Sequence, residues 1–165
     1  MFYVELFRAL ADHKVRYVLV GGLALNLHGV ERATMDIDLA IALDPVNLAA
    51  ALDAAEQLLL VPVAPVALRD AGNPATLEKW RTEKNMIAFG LRPQSGSGPV
   101  VDLLTSLPFP FDDLYRAAIS RQVGGVTVTV ASVDNLIAMK KAAGRPLDLA
   151  DIDALESLKR LGLDR

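Results

Sequence analysis

At 165 residues and 52% hydrophobic, the chain is long enough for one well-buried core and short for two, so a single domain is expected. A formal charge of −3 argues against extended duplex DNA binding, the lack of cysteine excludes disulfides and thiolate chemistry, and two histidines leave oxygen as the plentiful metal ligand. MFYVELFRALADHK is not a basic start before an unbroken apolar run, and LLLVPVAPVAL is too short and proline-broken to span a bilayer, so a cytoplasmic location without membrane contact is expected.

Phe2 to Asp12 has apolar residues at helical spacing, and Val15 to Val20 reads as a strand ending at Gly21 and Gly22. Leu23 to His28 is a short predicted helix closed by Gly29, with His28 placed either to cap its last carbonyls, the favoured reading, or to act near the substrate. A polar loop, Glu31 to Met35, leads into a strand from Asp36 to Leu43, and Pro45 opens a helix to about Leu60. Prolines and small residues deny Val61 to Pro74 a period, and Ala75 to Glu83 has helical composition. Asn85 to Leu91 and Pro99 to Thr105 read as strands, and Gln122 to Val130, holding Gly124 and Gly125, as a strand or hairpin. Ser132 caps a helix, and another runs from about Pro146 to Leu161. The pattern predicts an α/β (α+β) fold, a mixed sheet flanked by helices, with a C-terminal helical segment.

Residues two apart on a strand share a face about 6.5–7 Å apart, so Asp36 and Asp38 reach toward a common point while Ile37, Leu39 and Ile41 anchor the other face. Asp102 lies inside the apolar strand VVDLL, where an unpaired acid is costly. If the two strands are neighbours, three carboxylates converge, and magnesium, a hard cation with oxygen ligands, relieves their repulsion. Gly21 and Gly22 let a backbone approach a ligand closely where free amides can hold phosphate. Triphosphate and carboxylates on one metal site, with two ions in the active complex, make an arrangement for in-line attack at phosphorus. Arg32 and Thr34 precede the carboxylate strand and serve either phosphate or the loop's own hydrogen bonds. Lys140 lies on the stripe of Leu136 and Ile137; its charge either escapes to water or steadies the triphosphate. Arg145, Asp148 and Asp151 read as a structural ion-pair cluster.

The series Gly21, Gly22, His28, Gly29, Arg32, Thr34, Asp36 and Asp38 resembles the minimal nucleotidyltransferases of the polymerase-beta-like superfamily, most nearly the AbiEii toxin-type branch. SVDNLIAMKKAAGRPLDLADIDAL also resembles that branch, with Lys140 on a leucine-rich helix followed by Arg145, Asp148 and Asp151. The resemblance implies Gly21 and Gly22 at the nucleotide phosphates, Asp36, Asp38 and Asp102 as metal ligands, and Asp102 as a candidate base. It implies an NTP as substrate, an acceptor hydroxyl on RNA, protein or a small molecule, and, for a toxin, a cognate antitoxin as partner. Gly22 departs from the serine frequent in the superfamily, so a hydroxyl contact to phosphate is lost. A non-catalytic nucleotide-binding regulator, or an antitoxin-like partner of the same fold, is the alternative; Asp102 favours catalysis.

Overall fold

The computed structural model describes residues 1–165. Phe2–Asp12 forms α1, which buries Leu6, Phe7, Ala9 and Leu10 along one side. Lys14 turns the chain in the left-handed region (φ 55°), and Asn47 then fastens Arg16, accepting from its N–H at 2.7 Å and donating to its carbonyl at 3.0 Å. With those groups occupied, the first strand, β1, is Tyr17–Val20, two residues later than its apolar run. Gly21–Leu27 forms α2, so the glycines open the helix rather than precede it.

Ile37–Ile41 is β2, which leaves Asp36 just ahead of the strand. Pro45–Gln57 is α3, started by the Asp44 side chain accepting from the Asn47 amide. It stops short of the predicted Leu60 because Leu59 takes a left-handed conformation (φ 54°) and releases Leu60–Pro62 as β3, a strand too short to show a period. A turn of 3₁₀ helix over Leu68–Gly72 leads to α4, Pro74–Lys84, whose cap Asn85 is also left-handed. That cap moves the next strand, β4, to Ala88–Pro93. Val101–Leu104 is β5, and Phe111–Ala117 forms α5, a helix absent from the expectation because only seven residues follow Pro108 and Pro110.

Ile119–Val123 (β6) and Val126–Val130 (β7) form the hairpin, turning at Gly124 and Gly125 with positive φ at both, as two-residue hairpin loops demand. Val133–Ala143 is α6, capped by Ser132, and Pro146–Arg160 is α7. No helix is long and apolar enough to cross a membrane.

The seven strands make one mixed sheet in the order β3-β4-β5-β2-β1-β7-β6, with β2/β5 and β1/β7 parallel and the other pairs antiparallel. Ile37, Leu39 and Ile41 point with Val101, Leu103, Phe89 and Leu91 into the main core. There Ile41, Phe89 and Leu103 meet Leu48 and Leu52 of α3 and Leu77 of α4. Alternation fixes the consequence: Asp38 and Asp102 face the opposite side of the sheet.

Candidate active site

Register brings the two strand carboxylates together. Val20 pairs Asp38 across β1 and β2, Asp38 pairs Asp102 across the parallel β2 and β5, and Asp102 pairs Gly90 on β4. Neighbouring strands lie about 4.8 Å apart, so the two acids stand side by side. Burial, then Asp102 and Asp36, push the Asp38 carboxyl up to about 6, against the pull of Lys140 and Arg145. Burial and then Asp36 also raise Asp102. A pair of carboxylates so placed binds positive charge favourably.

The glycines are fitted to this row. Gly21 has φ +70°, and a Cβ on it would lie 2.9 Å from Cγ of Asp38; a Cβ on Gly22 would lie 2.8 Å from Cβ of Thr34. Thr34 donates its hydroxyl to the Asp36 carbonyl at 3.2 Å, holding the loop that leads into β2. Gly90 was not among the expected site residues, yet a Cβ there would come 3.2 Å from Oδ1 of Asp102. A glycine inside the apolar run AFGL is the signal that finds it, since strand glycines mark close approach.

The cations come from the other side. Lys140, nearly fully buried, places Nζ 2.8 Å from Asp151 and 3.4 Å from Asp148, so its charge neither escapes to water nor stands alone. Arg32 reaches the same Asp151 through Nε at 3.3 Å. Arg145 grips Asp148 through Nε at 3.0 Å and Nη2 at 3.1 Å, while its backbone N–H donates to the same carboxylate at 3.0 Å. The Arg145 hydrogen bond holds the Asp148 carboxyl down at about 2. The cluster thus joins three cations to two buried carboxylates, linking the loop after α2 to α6 and α7.

His28 corrects an expectation. It ends α2, but its ring crosses to the Ala131 carbonyl, donating from Nε2 at 2.8 Å, and leaves Nδ1 buried without a partner. Burial lowers its pKa, so the neutral ring is a brace between α2 and the start of α6 rather than a cap.

A cleft of about 840 Å³ lies between the sheet and the α6–α7 pair. Asp36, Asp38, Asp102 and Lys140 line it, as do Gly21, Gly22, Arg32 and Thr34, so all eight expected site residues share one cavity. The expected convergence of three carboxylates is not met: no three carboxylate or imidazole side chains are grouped so as to hold a metal ion, because Asp36 lies exposed ahead of β2 while register pairs only Asp38 with Asp102. The donor set nevertheless fits magnesium, being all oxygen, partly open and strained by its own repulsion.

The family model described as "Nucleotidyltransferase of unknown function (DUF6036)" matches residues 4–165, and the chain belongs to that family. Among solved structures the fold is similar to ANT(2″)-Ia in complex with adenylyl-2″-tobramycin, at 12% identity and a TM-score of 0.58, covering 97% of this chain and 87% of the other. No curated protein matches in sequence.

Proposed function

We propose that the protein transfers a nucleoside monophosphate from an NTP to a hydroxyl of an acceptor, with magnesium held by Asp36, Asp38 and Asp102. The observation that carries this reading is the Asp38–Asp102 pair on adjacent parallel strands, facing a cleft also lined by Lys140 and Arg145 from the α6–α7 segment and by Arg32 from the loop after α2. Magnesium, when bound, neutralises charge on the phosphates and on the reacting oxygens. Asp102 takes the proton of the acceptor hydroxyl as that oxygen bonds to the α-phosphorus, and the bond to pyrophosphate breaks on the opposite side. The backbone of Gly21 and Gly22 leaves room for the phosphates, and Lys140 and Arg32 offset their charge.

The test is incubation of the purified protein with each α-labelled NTP, magnesium, cellular RNA and cellular protein. Label in one fraction, lost with Asp38→Asn, supports transfer and identifies the acceptor class. No label in any fraction, with a folded protein, refutes it. A toxin role with an antitoxin partner rests on the resemblance of the Gly21–Asp38 series and the α6–α7 segment to the AbiEii type. Induced expression that arrests growth in the wild type but not in Asp38→Asn supports that role.

A further inference from the structure

One row of residues crosses the sheet at the level of the acids. Val20, Asp38, Asp102 and Gly90 are successive partners on β1, β2, β5 and β4. Val63, just past β3, continues the row by donating its N–H to the Gly90 carbonyl at 2.9 Å. Residues paired across strands share a face of the sheet, so the bare Cα of Gly90 is turned to the same side as the two carboxylates. Asp102 thus has Asp38 on one flank and a missing side chain on the other.

The two acids lean apart. A Cβ on Gly90 would meet Oδ1 of Asp102 at 3.2 Å and Cγ2 of Val63 at 3.3 Å. On the opposite flank a Cβ on Gly21 would meet the Asp38 carboxylate, with Cγ at 2.9 Å and Oδ2 nearest of all. Each carboxylate therefore extends over a glycine on the side away from the other acid. Like charges on strands about 4.8 Å apart lower their repulsion this way. Gly21 is also demanded by its positive φ, whereas Gly90 has none, so space alone requires a glycine there. The strand cannot back away, because Phe89 and Leu91 on either side of Gly90 are buried in the core and Phe89 stacks on Trp80 with centroids 5.8 Å apart.

From this we infer that Gly90 is a positioning residue: it gives the Asp102 carboxylate room to stand off from Asp38, and so sets how tightly the acid pair holds a divalent cation. The inference rests on the proposed metal site and adds to it a residue that carries no ligand atom. A methyl group at position 90, closed in by Val63 and borne on an anchored strand, turns the carboxylate back toward Asp38. Bringing one charge from about 5 Å to about 4 Å of another, at an effective dielectric near 20, adds repulsion equivalent to about fourfold in a binding constant. A cation between the acids cancels that repulsion, so a side chain at position 90 tightens cation binding and burdens the cation-free fold.

The experiment is manganese titration of the full chain, with free ion followed by electron paramagnetic resonance, together with thermal melts in a chelator. Wild type and Gly90→Ala are compared in both, and Asp102→Ala and the Gly90→Ala/Asp102→Ala double variant in the melts. Gly90→Ala is expected to bind manganese about fourfold more tightly than wild type. Without metal, Gly90→Ala should raise the melting temperature of Asp102→Ala, since alanine outdoes glycine inside a strand, and give no such gain where Asp102 is kept. Manganese affinity that is unchanged or weaker in Gly90→Ala overturns the inference, as does an equal melting shift in both backgrounds. Should Gly90→Ala fail to fold, recovery of the fold in the double variant supports the inference and continued failure overturns it. If wild type binds no manganese, the metal-site reading falls and this one with it; if wild type binds and Gly90→Ala binds no tighter, this one falls alone.

Discussion

Replacing Asp148 by asparagine keeps the shape of the side chain and removes its charge, at a position with no exposed surface. The carboxylate accepts two bonds from the Arg145 guanidinium, at 3.0 and 3.1 Å, and Lys140 stands 3.4 Å away. These contacts hold the carboxyl at about 2 against an ordinary 3.8. At about 1.4 kcal/mol per pKa unit, the ionised form contributes about 2 kcal/mol to folding. Because the folded pKa is depressed, that contribution is fully present above the unfolded value near 4 and is lost as pH falls through about 2. Urea unfolding followed by circular dichroism at pH 7, 5 and 3 is the assay. Asp148→Asn should be less stable than wild type by about 2 kcal/mol at pH 7 and 5, with a narrower gap at pH 3. Equal stabilities at pH 7, or a gap unchanged down to pH 3, would refute the ion-pair account.

Asp38→Asn should abolish transfer and raise stability by about 1–2 kcal/mol at pH 7, since burial and two like charges penalise the ionised acid. Its folded pKa is raised to about 6, so the gain should be present above pH 6 and fade toward pH 4, which unfolding curves will show. Gly21→Ala should cost about 1–2 kcal/mol for its positive φ and displace Asp38, so transfer falls together with the melting temperature. Lys140→Met leaves Asp151 facing Arg32 alone, and thermal melts should show a loss of about 1–3 kcal/mol besides a transfer rate down by about a hundredfold.

Much of this molecule is legible from local chemistry. The proline start at Pro45, the cap at Ser132, the glycine-bearing hairpin around Gly124 and Gly125 and the alternation through IDLAI each act over a few residues, and each appears at its predicted place. That Asp102 would stand beside Asp38 was a conditional reading, because strand order is decided by contacts more than sixty residues apart. β3 and α5 were missed since three and seven residues carry too little periodicity. The sequence spacing made Arg145 and Asp148 a pair, but Lys140 joining both acids, and Arg32 reaching Asp151 across 119 positions, are tertiary facts. His28 was misread for the same reason: its partner, Ala131, lies 103 positions away.

The bond between Arg32 and Asp151 also orders events in time. All seven strands are encoded before Ser132, whereas Lys140, Asp148 and Asp151 follow it. The sheet, its acidic row and Arg32 are therefore synthesised before Lys140, Arg145 and the two buried acids that hold them. Such a nascent chain presents Asp36, Asp38 and Asp102 to a nucleotide with little to offset the like charge. Until α7 packs, Arg32 also lacks Asp151, so the cationic wall of the cleft is the last part of the site to be assembled.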